Sequence, residues 1–385
     1  MVEWKKLGDV CDVLNGFSFK SQDYTQDGIR VIRISDVQSG YISDKDKVFY
    51  PYEKLNEFKK YVLNEGDIVM SLTGNPGRIA VIDSCSIPCA LNQRVACLRA
   101  KNVIGSYLFY LFNCKEFESI ALANSTGGAQ KNLSTTWLNN HIIPIPSLSE
   151  QSRIVSILDT FSDSIDNLKQ QIEQRRKQYE HYRDQLLDLE GKEGVEMKKL
   201  KEIFDTRNGY TPSTKNAEFW DNGIIPWFRM EDIRDNGRIL SDSNLHITPE
   251  AIKGSGLFKA NSIILATSAT IGEHALILVD HLSNQRFTNF YPKKASMDKI
   301  NMKFYYYYMF IIDEWCKQHT HQGGFASVDM DGLYKLEIPL PSLEEQSRIV
   351  SILDTFEASI ANLEAQLKER EKQYEYYRNT LLTFE

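Results

Sequence analysis

No apolar run in this chain is long enough to span a bilayer. The most hydrophobic stretch, YYYYMFII at Tyr305–Ile312, is far shorter than the ~20 residues a membrane helix needs, so no membrane association is expected. The start, MVEWKKLGDV, has no apolar segment behind its lysines and does not read as a secretory signal. Cysteine is scarce. Six residues at irregular spacing suit a reduced, cytoplasmic compartment. Cys85 and Cys89 form one CxxxC without a second pair, so ordinary thiols rather than a zinc site are expected. The seven histidines contain no HExxH, and the neighbours His319 and His321 do not make a metal set. Also missing are DPPY and NPPY, GxGxxG and GxxxxGK[ST]. No catalytic residue, cofactor or metal is therefore expected. Asp188, Glu190 and Lys192 imitate a nuclease cluster, but they lie at a helix end rather than on strands and read as a solvated terminus.

A strong charge of one sign is lacking where it would matter most. The net charge is −7, which alone argues against a polyanionic partner. By segment, residues 1–145 hold 16 basic and 15 acidic side chains, and residues 197–340 hold 17 of each. Residues 146–196 hold 7 basic and 11 acidic, and residues 341–385 hold 5 and 9. The acidity sits in the two short segments. The long ones are neutral, and a neutral domain can still present a basic face.

What the chain has in abundance is self-similarity. EQSRIVSILDTF occurs at Glu150–Phe161 and again at Glu345–Phe356, 195 positions apart. The repeat extends without gaps from Pro146–Leu187 to Pro341–Leu382, with 29 of 42 positions identical. Ser147 stands three residues before Glu150, and Ser342 three before Glu345, which is a capping-box spacing. Apolar residues follow at alternating steps of four and three: Ile154, Leu158, Phe161, Ile165, Leu168, Ile172, then Tyr179, Tyr182 and Leu186. The second copy matches from Ile349 to Leu381, and Arg175 and Arg370 interrupt the two stripes at the same place. A 3.5-residue period predicts two coiled-coil helices packing on each other. The plainer alternative is two amphipathic helices that each pack on their own domain. With the order globule, helix, globule, helix, a pseudo-two-fold arrangement closes, and it makes the helices antiparallel.

The long segments share landmarks in one order. WKKL (4–7) matches MKKL (197–200). GDIVMSLTGNPGRIAVID (66–83) matches NSIILATSATIGEHALIL (261–278). LNQRVAC (91–97) matches SNQRFTN (283–289), and STGGAQKNLS (125–134) matches HQGGFASVDM (321–330). Between landmarks the identity is poor. The expected fold is α+β: two similar globular domains, 1–145 and 191–340 with its linker, separated by helical regions 146–190 and 341–385. Each globule carries one aromatic-rich helix, near Tyr107–Phe117 and Lys303–Trp315. Identical helices with divergent globules suit one task performed twice on two different targets, and a bipartite DNA site fits that pattern.

Taken with IPIPSLSEQSRIVSILDTF, IPLPSLEEQSRIVSILDTF, Thr211–Ile233, GGAQKNLS and the two NQR turns, this order resembles the specificity subunits of type I restriction–modification systems. The resemblance covers essentially the whole chain. It implies that each globule is a target recognition domain for one half of a split, asymmetric site in double-stranded DNA. It further implies that the helices set the spacer and dock two N6-adenine methyltransferase subunits, that motor–nuclease subunits can join, and that this chain is non-catalytic. A self-contained nuclease or methyltransferase, and a coiled-coil scaffold protein, are the alternatives.

Bases are read by Arg, Asn and Gln, with Ser and Thr serving either purine, while Lys, Arg and backbone N–H groups hold phosphates. Three kinds of stretch supply such groups in both globules. The first is the turn with Thr73, Asn75 and Arg78, opposite Thr267, Ser268 and Thr270. The second is Asn92-Gln93-Arg94, opposite Gln285 and Arg286. The third contains Gln130, Lys131 and Asn132, opposite His321 and Gln322. Lys20, Arg30 and Arg33 in the first globule, and Tyr210, Thr211, Lys215 and Arg229 in the second, complete the candidates. NQR occurs in both globules, so it is either a structural turn or a phosphate contact. The paired glycines Gly127, Gly128 and Gly323, Gly324 serve DNA or simply supply positive φ. Trp137, Trp220 and Trp227 read as core anchors.

Overall fold

A computed structural model describes residues 2–128, 131–321 and 326–384. The chain divides into two units. One comprises Met1–Lys169 with Ala365–Glu385, the other Gln170–Glu364. Each long helix, Leu148–Leu187 and Leu343–Leu382, therefore gives its first half to one unit and its second half to the other. Among the described residues no helix is long and apolar enough to cross a membrane.

The helix starts follow from the sequence in part. Pro146 and Pro341 precede each start and disfavour helical backbone before them. The Ser147 hydroxyl accepts from the Glu150 N–H at 3.3 Å, and the Ser342 hydroxyl from the Glu345 N–H at 3.2 Å. The reciprocal half of the capping box is absent. Glu150 turns its carboxylate onto Arg153 (2.9 and 2.6 Å), and Glu345 onto Arg348 (2.7 Å). A guanidinium one turn along binds both carboxylate oxygens, which a single backbone N–H cannot match.

The apolar stripe divides its work. In the first unit Ile154 and Leu158 are fully buried in the globule's own core, beside Tyr107, Leu108 and Leu138. In the second unit Ile349 and Leu353 do the same beside Phe304, Tyr305 and Leu333. Each such side chain contributes about 1.5–3 kcal/mol by leaving water. Later positions pair helix with helix. Phe161 stacks on Tyr377 with centroids 5.1 Å apart in the first unit. In the second, Phe356 stacks on Tyr182 at 5.4 Å, and Arg176 pairs with Glu364. In the second unit the numbering rises on one partner as it falls on the other, from Arg176–Glu364 to Tyr182–Phe356, so the helix segments there are antiparallel. The arginines that break the stripe lie over aromatic rings, Arg370 over Phe161 and Arg175 over Phe356. Both sequence readings thus hold, on successive lengths of one helix.

Why twelve residues are repeated without change is now partly visible. Gln151 is buried; it accepts from the Ile104 N–H at 2.9 Å and donates to the Pro146 carbonyl at 2.8 Å. Gln346 accepts from the Asn301 N–H at 2.7 Å and donates to the Lys299 and Pro341 carbonyls, both at 2.8 Å. Asp159 accepts from the Tyr110 hydroxyl at 2.6 Å, and Asp354 from that of Tyr307 at 2.5 Å. Gln, Ile, Leu and Asp together clamp each helix to its globule.

Both globules are α+β. In the first, an antiparallel sheet runs in the order Cys11–Asn15, Val95–Ala100, Ile68–Ser71, Ile79–Val81. A second sheet runs Phe49–Tyr50, Ile29–Ile32, Cys89–Leu91, Val62–Leu63, with Ile29–Ile32 and Cys89–Leu91 parallel. In the second globule the corresponding sheets contain Phe204–Asn208, Phe287–Pro292, Ser262–Ala266 and His274–Ile277, and Ile225–Phe228 beside Leu282–Ser283. A two-stranded ribbon, Glu3–Lys6 on Ile142–Ile145 or Glu196–Lys199 on Glu337–Leu340, leads toward each helix. The aromatic helix is continuous in the second globule (Met302–Gln318) but broken in the first, as Gly105–Phe112 and Lys115–Ala123. The break falls at Asn113-Cys114, where the Cys114 sulfur caps the Phe117 N–H. Trp227 is buried, Trp220 packs edge-on against it, and Trp137 stacks on His141.

Candidate nucleic-acid interface

In each globule the chain passes from one sheet to the other through the Asn-Gln-Arg turn. Asn92–Arg94 joins strands Cys89–Leu91 and Val95–Ala100. Asn284–Arg286 joins Leu282–Ser283 and Phe287–Pro292. The asparagine builds the turn. Asn92 Oδ1 accepts from the Arg94 N–H at 3.2 Å, and Asn284 Oδ1 from the Arg286 N–H at 3.0 Å, the Asx-turn geometry for which asparagine is favoured. Gln93, Arg94, Gln285 and Arg286 lie exposed beyond it. Among the described residues neither Arg94 nor Arg286 has an ion pair.

This corner needs a glycine beside it. A Cβ on Gly16 would stand 2.2 Å from the Asn92 carbonyl oxygen, and one on Gly209 2.2 Å from that of Ser283. The sequence signal was available: Asn15-Gly16-Phe17 and Asn208-Gly209-Tyr210 end the first strand of both sheets. A second shared device is Arg-x-x-Asp. Asp36 accepts from the Arg33 N–H at 2.8 Å, and Asp232 from the Arg229 N–H at 2.6 Å. Both carboxylates are buried, and they fix the loop that follows the neighbouring strand.

In the first globule the three predicted stretches meet at this corner; in the second the turn meets Ser327 and Val328, which lie just past the predicted His321 and Gln322. In the first globule the Leu72 N–H donates to the Arg94 carbonyl at 2.9 Å, and the Gly74 N–H to the Lys131 carbonyl at 3.1 Å. Thr73 donates to Asn132 Oδ1 at 3.0 Å. In the second, the Thr267 N–H donates to the Arg286 carbonyl at 2.9 Å, the Val328 N–H donates to the Thr267 carbonyl at 2.9 Å, and Ser268 bridges to Ser327. Gly74 and Ala269 occupy the same turn position with φ of 80° and 66°. Ala269 holds a left-handed backbone there that alanine adopts only at a cost. Asn75 and Thr270 follow, Asn75 exposed and Thr270 half-buried. In the first globule a cleft of about 400 Å³ opens beside the corner, between Phe19, Tyr24, Arg33, Ser35, Gln93 and Arg94. Burial raises the Tyr24 hydroxyl above its usual pKa.

Other candidates are placed differently. Arg30 is 3% exposed, with its guanidinium on Asp44 (2.9 Å), Ser86 (3.2 Å) and the Ser43 carbonyl (2.7 Å); it braces the interior and offers no face to a ligand. Thr73 and Thr267 are buried, Thr267 against the Thr288 hydroxyl at 2.9 Å. The Tyr210 hydroxyl donates to the Ala251 carbonyl and accepts from the Lys253 N–H. Arg33 lines the cleft while paired with Asp36. Arg78 donates to Gln38 at 2.9 Å. Arg229 lies over Trp227, with Glu231 3.8 Å away. Lys20 and Lys215 are exposed and Lys131 half-buried, none with an ion pair among the described residues. His321 is exposed, 3.6 Å from Asp329. Gln130 and Gln322 lie outside the described residues.

A family model described as the type I restriction modification DNA specificity domain matches residues 1–175 and again 192–372. The chain belongs to that specificity family. The EcoprrI specificity subunit of Escherichia coli is 52% identical over 53% of this chain and 53% of its own length. The EcoR124I/EcoR124II specificity subunit of E. coli is 39% identical over 64% of this chain and 65% of its own length. The matched part thus spans between half and two thirds of these curated relatives. The crystal structure of a type I restriction–modification S subunit from M. genitalium shares the specificity-family fold, with a TM-score of 0.58 at 15% identity over 100% of this chain and 97% of that one.

Proposed function

We propose that this chain is the non-catalytic DNA-specificity subunit of a type I restriction–modification enzyme. Each globule reads one half of a split, asymmetric duplex site with its sheet-to-sheet corner and the two loops bonded to it. The observation that carries the reading is one exposed corner, built alike in both globules from the Asn-Gln-Arg turn and the loops bonded to it, with an arginine at its tip that has no ion pair among the described residues. Arg94 and Arg286 have the right chemistry for a phosphate or a guanine edge. The surrounding loops differ between globules, as two different half-sites require.

The partners are two N6-adenine methyltransferase subunits, with motor–nuclease subunits joining later. They dock on the helices. Ser152, Arg153, Ser156 and Thr160 are exposed and identical to Ser347, Arg348, Ser351 and Thr355. At 3.6 residues per turn they share an arc of about 100° opposite Ile154 and Leu158. Core packing does not demand their identity, whereas two copies of one partner would. The length of the two helices sets the spacer between the half-sites.

The test is binding by the complex assembled with its methyltransferase. Arg94→Gln and Lys131→Gln should each weaken binding and lower the slope of log K against log salt by about 0.9, the value of one phosphate contact. Wild-type affinity at every salt in both variants would remove the corner from the interface. Inserting one helical turn into both repeats should lengthen the spacer and leave both half-sites unchanged; an unaltered spacer would refute the ruler.

A further inference from the structure

Two arginines at matched positions of the globules have different neighbours. Arg33 and Arg229 each follow the residue whose carbonyl accepts from the corner asparagine, Ile32 from Asn92 at 3.2 Å and Phe228 from Asn284 at 3.0 Å. Asp36 holds the Arg33 guanidinium as well as its N–H, at 3.4 and 3.3 Å, and the Asp46 carbonyl accepts from the same guanidinium at 2.5 Å. Asp232 instead gives both oxygens to backbone, to the N–H groups of Arg229 and Asn244, each at 2.6 Å. The Arg229 guanidinium makes no hydrogen bond among the described residues. It lies over Trp227, 5.8 Å from the ring centroid, with the exposed Glu231 at 3.8 Å. An exposed pair of that length contributes little.

A second cation sits on the same aromatic pair. Trp227 Nε1 donates to the Tyr210 carbonyl at 2.9 Å, and Lys253 Nζ lies 4.6 Å from the centroid of the Tyr210 ring. The Lys253 main chain is fixed on both sides: its N–H donates to the Tyr210 hydroxyl and its carbonyl accepts from the Gly256 N–H, both at 2.9 Å. Its side chain is exposed and has no ion pair among the described residues. Tyr210 is itself bound to the corner. Its N–H donates to the Ser283 carbonyl at 2.8 Å, and Thr211 beside it is hydrogen-bonded to Gln285 at 2.5 Å. The first globule is built otherwise. Val31 stands where Trp227 does and Phe17 where Tyr210 does, and its lysine over a ring, Lys54 on Tyr50, is paired with Asp23 at 2.8 Å.

We propose that Arg229 and Lys253 are two backbone-phosphate contacts of the second globule, seated on Trp227 and Tyr210 beside the corner. An aromatic face attracts a cation and holds it without neutralising it, whereas a carboxylate does both. The guanidinium and ammonium donors stay available to an anion, and on a surface bonded to the reading corner that anion is duplex phosphate. The first globule holds its matching cations on Asp36 and Asp23 and has no counterpart to either contact.

This rests on the corner being a DNA-reading surface, and the experiment separates the two claims. The full chain, assembled with its methyltransferase subunits, selects a duplex from a library randomised at both half-sites and is then titrated with it across a salt series. Arg229→Gln and Lys253→Gln should each weaken binding and reduce the slope of log K against log salt by about 0.9, and the double variant by about 1.8. The selected bases should not change. Arg229→Lys and Lys253→Arg keep the charge and should keep the slope. Arg33→Gln and Lys54→Gln should leave the slope at the wild-type value; an equal drop in those variants would refute the role of the aromatic seat. Weaker binding at an unchanged slope would mark Arg229 or Lys253 as structural and refute the contact. If either Gln variant keeps wild-type binding while Arg286→Gln weakens it, the phosphate contacts are refuted and the corner stands. If Arg286→Gln also binds like wild type at every salt, the corner is not the interface, and the inference falls with that reading.

Discussion

Gly16→Ala should damage the first corner more than any surface substitution near it. The new methyl would lie 2.2 Å from the Asn92 oxygen, 2.3 Å from its carbonyl carbon and 2.5 Å from the Leu91 oxygen. All three are backbone atoms and cannot rotate away. An ordinary contact needs about 3.4 Å, so the two segments must part by about 1 Å. Two hydrogen bonds flank the glycine: the Phe17 N–H to the Leu91 carbonyl at 2.8 Å, and the Gln93 N–H to the Phe17 carbonyl at 2.9 Å. Their stretching costs about 1 kcal/mol each, and the overpacking adds about 1–3 kcal/mol. The expected loss is about 3–5 kcal/mol, a large part of the ~5–15 kcal/mol that holds a typical domain folded. Urea titration of the purified chain measures it, with Gly254→Ala as control because a methyl there meets nothing within 4 Å. A Gly16→Ala variant within about 0.5 kcal/mol of the control would show that the corner yields freely, and the reasoning about its rigidity would fail.

Gln346→Leu should cost about 2–4 kcal/mol, because the Asn301 N–H and two carbonyls lose their partner in a buried site; a melt no different from wild type would contradict the clamp. His281 is fully buried and pushed down to about 4 by burial. The unfolded chain therefore binds a proton that the folded chain refuses, and stability should fall by about 3 kcal/mol as pH drops from the ordinary histidine value toward 4. Hydrogen exchange of the second globule as a function of pH checks this, and a flat profile would be the contrary result. Glu357 is shifted the other way, upward, chiefly by burial, against the hydrogen bonds from Tyr307 and Tyr179. Here the folded chain holds the proton more tightly, so stability falls as pH rises out of the usual carboxylate range. Glu357→Gln should remove that fall and be the more stable form at neutral pH, and an unchanged pH profile in the variant would exclude the assignment.

The sequence was most informative where chemistry is local. Helix starts after Pro146 and Pro341 and the turns between the α+β strands follow from residues a few positions apart, and the 3.5-residue stripe that predicts helix pairing is itself a local pattern. It was least informative where a partner comes from far along the chain. Arg30 looks like a DNA contact until Asp44 and Ser86 enclose it, and neither is marked in the sequence as its partner. Thr73 and Thr267 offer hydroxyls on paper, yet their turn folds them inward. Ile154 and Leu158 belong to a regular heptad, but periodicity cannot say whether a helix or a globule covers them. The Asn-Gly pair before Phe17 and Tyr210 was legible in both copies and carried the closest backbone approach at the corner.

Residues 365–384 complete the core of the first globule rather than the second. Tyr374, Leu381, Leu382 and Phe384 pack against it, and Arg378, nearly buried, donates to the Asn113 carbonyl at 3.0 Å. Synthesis runs from the other end. The first globule leaves the ribosome long before the helix segment that seals it, and must wait for almost the entire chain with an apolar flank uncovered. A chain released early by a stop codon near residue 365 would therefore harm the domain translated first and spare the one translated last.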